Sequence, residues 1–129
     1  MDMTVAEIKA VLEEALDYAL QPDGSTGAYR YAAGLRWHVN AGEPSGERLS
    51  KMEFNGRNDS SWSALDMNKS YRLVTNNFIA AGRDGYLTFK TVKNDGRYTD
   101  TYRDYAQSFV DSAQEWGSVS KMPASEYST

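Results

Sequence analysis

The sequence predicts an α+β domain: a mixed or antiparallel sheet with helices flanking it. Three observations carry that prediction. A T-x-x-E signature at Thr4–Glu7 opens a run whose apolar residues recur at helical spacing. The middle of the chain alternates short strand-like segments with Gly- and Pro-containing turns. A second helical pattern closes the chain. Helices set apart from a strand-rich middle end up on the outside of a sheet.

The first helix is written by Val5, Ile8, Val11, Leu12, Ala15, Leu16 and Ala19, one apolar stripe that belongs in a core. Pro22 and Gly24 end it, since proline has no amide hydrogen to donate. STGAYRYAAG, residues 25–34, reads as a loop. In LRWHV, Leu35, Trp37 and Val39 alternate with Arg36 and His38, the period of a half-buried strand. A turn at 40–48 leads to a second strand over Leu49–Phe54. Its apolar positions 49, 52 and 54 break the period of two, which predicts a bulge near Ser50–Lys51. The two strands form a hairpin. Tyr71–Thr75 predicts a further strand. Leu87, Phe89 and Thr91 alternate, which predicts another strand or extended segment. Residues 93–97 read as a turn. The last helix carries Tyr102, Tyr105, Ala106, Phe109, Val110 and Ala113 on one face, with Thr101 and Asp104 as start signals and Gly117 as its stop. The domain spans 1–117, and 118–129 reads as a small, polar tail.

Composition narrows the function. A length of 129 residues suits one domain or a piece of one, with 40% hydrophobic and 25% charged residues. The net charge of −4 argues against a nucleic-acid binder, which needs a basic face to replace counterions on phosphates. It leaves room for a small nucleotide. No cysteine is present, so disulfides and thiolate metal sites are excluded. No apolar run approaches the ~20 residues that span a bilayer. MDMTVAEIK leads straight into a helix, so any secretion signal is expected upstream. The single histidine, His38, cannot supply the several ligands of a zinc hydrolase and reads as a strand side chain. Asp66–Ser70 opens like an EF-hand loop, but Tyr71 stands where that loop needs glycine, so it reads as a plain turn. Asn58-Asp59-Ser60 and Asn68-Lys69-Ser70 match the glycosylation pattern, a match common by chance. Neither GxSxG nor a P-loop occurs.

The stretch NNFIAAGRDGY, residues 76–86, has chemistry that suits a binding loop. Phe78, where a strand runs into a loop, offers a ring on which a planar base can stack, worth about 1–3 kcal/mol per base. Asp84 offers two acceptor oxygens that match the neighbouring hydroxyls of a ribose. Asn77 suits a turn, where its side chain bonds backbone groups. Phe78 also suits a core, and D-G is a common turn dipeptide, so the residues alone leave both readings open.

Three ordered motifs resemble the C-terminal, substrate-binding domain of the 5′-nucleotidase family, which includes UDP-sugar hydrolases and bacterial NAD pyrophosphatases. STGAYRYAAGLRW resembles its S-T-G glycine element, and EPSGERLSKMEF its K-P-x-G-x-R-V turn. LDMNKSYRLVTNNFIAAGRDGY resembles its N-x-F-(L/I)-A-x-G-G-D-G signature. The resemblance runs from about Val5 to Trp116. It implies that Phe78 is one half of an aromatic clamp on the base, that Asp84 holds the ribose, that Asn77 belongs to the same element and that Gly34 lies near the base. It also implies a secreted, periplasmic or extracellular, phosphohydrolase whose divalent metal pair, such as Zn, sits in an N-terminal metallophosphoesterase domain. That domain, the second clamp aromatic and the phosphate-holding arginines are expected upstream of this segment. The partners implied are an AMP-like nucleotide, NAD or a UDP-sugar, and the N-terminal domain of the same chain. One departure stands out: the family's G-G-D-G is GRDG here, so Arg83 replaces a glycine and is strained if that position needs positive φ. Arg83 also offers a guanidinium to a phosphate of a larger, dinucleotide substrate. The competing reading is a non-catalytic module, such as a carbohydrate binder using Trp37 or Trp62 among three Trp and nine Tyr.

Overall fold

The computed structural model describes residues 1–29, 31–56 and 61–123. A short strand, β1 (Asp2–Thr4), runs into α1 (Val5–Leu20). The capping box is present: Thr4 Oγ1 accepts from the Glu7 amide at 3.3 Å, and Glu7 Oε2 accepts from the Thr4 amide at 2.9 Å. The stripe is the core. Val5, Ile8, Val11, Leu12, Ala15 and Leu16 are all buried. Ile8, Val11, Leu12, Ala15 and Leu16 join Leu49, Ile79, Phe89 and Val92 in one cluster, and burying a large aliphatic or aromatic side chain fully is worth about 1.5–3 kcal/mol.

β2 (Leu35–Val39) and β3 (Leu49–Phe54) form the predicted antiparallel hairpin, and β4 (Ser63–Ala64) pairs with β3. The register shifts between Arg36 and His38, so two β3 residues oppose Trp37, and Lys51 takes φ 48°. That is the bulge expected at Ser50–Lys51. β5 (Ser70–Arg72) pairs antiparallel with β1 in a separate two-stranded sheet. The strand expected over Tyr71–Thr75 is therefore shorter: its pairing ends at Leu73, which exchanges backbone bonds with Met1, and residues 74–76 continue beyond it. Asn58-Asp59-Ser60 lies outside the described residues. Asp66 closes its own turn: its Oδ1 accepts from the Asn68 amide at 3.0 Å.

Next comes α2 (Asn77–Ala80), a single turn, and then α3 (Leu87–Asn94). The strand expected at Leu87–Thr91 is wrong. The buried residues are Phe89 and Val92, three apart, while Leu87 is exposed, so the working period is helical and not two. The N-terminus of α3 is also capped from a distance. Glu14 accepts from the Thr88 amide at 3.1 Å and from Thr88 Oγ1 at 2.7 Å. Such a cap satisfies amides that a helix leaves without intrahelical partners.

The polar edges of α1 tie the rest together. Glu13, 4% exposed, accepts from the amides of Gly46 at 3.1 Å and Leu49 at 2.8 Å. Asp17 takes a bond from Ser45 Oγ at 2.6 Å and another from Arg48, and these hold its carboxyl below the usual carboxylate range. Glu7 receives a two-pronged bond from Arg97 at 2.6 and 3.0 Å.

α4 (Tyr105–Trp116) starts where Asp104 accepts from the Gln107 amide at 2.8 Å, and it ends at Gly117. Tyr102 falls outside it, in left-handed backbone at φ 52°. The apolar face of α4 exists as expected, but no residue of it is buried. Among the described residues no helix is long and apolar enough to cross a membrane.

Candidate functional site

Residues 76–86 fold into two consecutive helical turns anchored at both ends. Asn76 Oδ1 accepts from the Ile79 amide at 3.0 Å and so caps α2. Ile79 and Ala80 are buried in the core. A four-residue turn with two residues pinned inward turns the others out: Asn77 is exposed and Phe78 is 51% exposed. At the far end Tyr86 is 1% exposed, and its hydroxyl donates to the Ala28 carbonyl at 2.8 Å. The STGAY stretch is thereby bonded to the end of the RDGY turn.

Between the anchors the chain needs left-handed backbone. Gly82 has φ 83°, and a Cβ there would stand 2.9 Å from Lys90 Cβ, so no larger residue fits without movement. Asp84 has φ 55° and ψ 31°. Aspartate tolerates this region better than most residues because its short side chain bonds locally. The strain foreseen for Arg83 is absent: among the described residues the positive φ values of this turn fall on Gly82, Asp84 and Gly85. Arg83 and Asp84 are both at least partly open to solvent. The loop holds its two chemically useful groups, the Phe78 ring and the Asp84 carboxylate, on a backbone that packing fixes. That lowers the ordering cost of any ligand that uses them.

Phe78 stands on a helical turn and not at a strand end. The residue that fixes the loop is Asn76, not Asn77. The sequence carried the signal: asparagine three residues before the first buried apolar residue is an N-cap pattern. Gly34 lies elsewhere, at φ 73° beside Asn55, on the wall of an open trough of about 730 Å³. Asn76 and Ile79 reach that trough, whereas Asn77, Phe78 and Asp84 do not line it. The structure therefore gathers three of the four expected residues in one loop and leaves Gly34 across the trough.

Trp37 and Trp62 are engaged within the fold. Trp37 Nε1 donates to Tyr29 Oη at 2.9 Å, and the Arg36 guanidinium lies 4.4 Å from the centre of the Trp62 ring. Neither leaves a stacking face as open as that of Phe78. His38 is a half-buried residue of β2. Among the described residues no group of three or more His, Cys, Asp or Glu could hold a metal ion.

The sequence matches the 5′-nucleotidase, C-terminal domain family over residues 1–91. This chain belongs to that family. It is 42% identical over 106 residues to the NAD 5′-nucleotidase of Haemophilus influenzae, covering 80% of this chain and 17% of that protein. It is 39% identical over 112 residues to a probable 5′-nucleotidase of Treponema pallidum, covering 85% of this chain and 18% of the relative. The solved structure of the Haemophilus influenzae NAD nucleotidase superposes with a TM-score of 0.80 at 39% identity, over 89% of this chain and 20% of that one. A 5′-nucleotidase precursor from Thermus thermophilus gives 0.79 at 30% identity, over 99% and 24%. The chain thus spans less than a fifth of the length of these two curated relatives.

Proposed function

We propose that this 5′-nucleotidase C-terminal domain segment binds the nucleoside part of a nucleotide for a secreted, metal-dependent phosphohydrolase. Phe78 stacks the base, Asp84 accepts from the ribose hydroxyls, Asn77 borders the base on the same turn, and Gly34 gives the ligand close access to backbone. The observation that carries this reading is the loop itself. Its backbone is tied down by Asn76, Ile79 and Tyr86, yet it turns a half-exposed aromatic ring outward. A fixed turn that exposes an aromatic is costly as mere connection and useful as a platform.

In this reading the divalent metal pair is carried by another domain of the enzyme, and the work of this segment is positioning. Holding the base and the ribose aligns the phosphate ester before reaction and converts binding energy into orientation. The names of the relatives favour a 5′-nucleotide or an NAD-type dinucleotide as substrate. The periplasm or cell exterior is the compartment.

The test is Phe78→Ala and Asp84→Ala in a full-length nucleotidase carrying this segment. Losing a stacked base at about 1–3 kcal/mol lowers kcat/KM for AMP roughly 5- to 150-fold, with metal content unchanged. Unchanged kcat/KM in both variants sinks the assignment.

A further inference from the structure

Two cations flank the turn between α2 and α3, and the fold uses neither. Arg36, Arg48, Arg72 and Arg97 each pair with a carboxylate. Arg83 is exposed and, among the described residues, pairs with none, although Asp84 follows it directly. Lys90 on α3 is likewise exposed and, among the described residues, without an ion pair. Glu14, the acid that reaches α3, gives both oxygens to the Thr88 amide.

The cations are neighbours across the turn. A Cβ on Gly82 would stand 2.9 Å from Lys90 Cβ and 3.1 Å from its Cδ. The aliphatic stem of Lys90 therefore lies across Gly82, the residue directly before Arg83. The backbone beneath is held: the Arg83 carbonyl accepts from the Tyr86 amide at 3.3 Å, and Tyr86 is 1% exposed.

The ribose decides which anion these groups would meet. With Asp84 accepting from the 2′ and 3′ hydroxyls, the diol edge of the sugar faces this turn. Adjacent Cα atoms stand about 3.8 Å apart, so Arg83 flanks that edge. The 5′ carbon leaves the ring beyond the diol, so the reacting phosphate lies away from Arg83. A second phosphate, carried on the 2′ or 3′ oxygen, falls beside it. Dinucleotide-binding folds use the same logic: an acid reads a free 2′-hydroxyl, and a nearby arginine accommodates a 2′-phosphate. Asp84 alone would repel such a phosphate. The Arg83 guanidinium offers it planar, two-pronged bonds, and Lys90 adds a second positive charge.

We propose that Arg83, with Lys90, is a specificity site for ribose-phosphorylated nucleotides. It admits a phosphate on the 2′ or 3′ oxygen while the 5′-phosphate reacts. The inference rests on the nucleoside reading of Phe78 and Asp84.

The test uses a full-length nucleotidase carrying this segment. It compares kcat/KM for release of the 5′-phosphate from AMP, adenosine 2′,5′-bisphosphate and adenosine 3′,5′-bisphosphate. The readout is the ratio of each bisphosphate to AMP. Loss of a charge-assisted contact in Arg83→Ala should lower that ratio about 10- to 100-fold for at least one bisphosphate. Arg83→Lys should keep more of the ratio than alanine does, and Lys90→Ala should lower it by a smaller factor. Phe78→Ala should lower all three substrates alike. Unchanged ratios in Arg83→Ala, with Phe78→Ala still damaging, overturn this inference alone. An equal fall for AMP in Arg83→Ala is such a result and marks a structural role. A fall for NAD relative to AMP, with both bisphosphate ratios unchanged, assigns Arg83 to a diphosphate bridge and also overturns it. No effect of Phe78→Ala on any substrate removes the nucleoside reading and this inference with it.

Discussion

Replacing Glu13 with glutamine changes one buried atom and removes an acceptor from the joint between α1 and the hairpin. The carboxylate is 4% exposed and accepts from two backbone amides, Leu49 at 2.8 Å and Gly46 at 3.1 Å. Glutamine keeps one oxygen and turns an NH₂ toward the other amide, so one of the two bonds must be lost. Leu49 is 5% exposed, so water cannot easily replace a partner there, whereas Gly46 is exposed. A hydrogen bond to a charged group is worth about 1.5–3 kcal/mol, and an abandoned buried donor costs about 1–3 kcal/mol. Glu13→Gln should therefore destabilise by about 1.5–3 kcal/mol, and Glu13→Ala, which strands both amides, by about 3–4 kcal/mol. Urea unfolding followed by circular dichroism reads this directly, with unchanged m-values. Glu13→Met is the sharper control. It fills the space without accepting a bond, so it should be no better than alanine by more than about 1 kcal/mol. If methionine equals or exceeds the wild type, burial of the charge outweighs its bonds and the reasoning fails.

Other outcomes follow from the same geometry. The hydrogen bond from Arg97 holds the Glu7 carboxyl down at about 2, against 4.5 for a free glutamate. A depressed carboxylate stabilises the fold above pH ~4.5 and loses that contribution as pH falls toward 2. Because the pair is 36% and 26% exposed, solvent screening cuts the effect to about 1 kcal/mol. The stability gap between wild type and Glu7→Gln should close across that acid window, and a gap that stays constant contradicts the assignment. Gly82→Ala should cost about 1–3 kcal/mol by thermal melting, from positive φ and the crowded Cβ. Lys90→Ala should not rescue it, since the nearest atom is Lys90 Cβ, which alanine keeps. Glu14→Ala should speed exchange of the Thr88 amide and cost about 0.5–2 kcal/mol, as loss of a cap does; an unchanged exchange rate removes the cap.

The parts of the fold that local chemistry decides were legible in the sequence. The capping box and stripe fixed α1, and the broken alternation at 49, 52 and 54 located the bulge at Lys51. What the sequence hid was set at long range. Leu87–Thr91 alternates like a strand, yet Glu14, 74 residues away, caps it as a helix while Phe89 and Val92 fill the core. Val74 and Thr75 read as strand, and their side chains suit one, but a strand needs a neighbour to pair it and the pairing with the start of the chain ends at Leu73. Phe78 and Asp84 are proposed on their chemistry and on resemblance. Their backbone was not legible: alternation could not reveal the one-turn helix, and the GRDG departure drew attention to Arg83 when the left-handed non-glycine residue of the turn is Asp84. Asn76 was passed over for Asn77 because two adjacent asparagines look alike until Ile79 shows which one is three residues before the buried position.

The Asn76–Tyr86 loop is proposed as a nucleoside platform. The most direct measurement is an adenosine titration with labelled phenylalanine rings, reading intermolecular nuclear Overhauser contacts and amide shifts. Contacts are expected between the Phe78 ring and the adenine protons, together with shifts at Asp84 that disappear in Phe78→Ala. Binding whose contacts fall on Trp37 or Trp62, or saturating adenosine with no contact to Phe78, would contradict it.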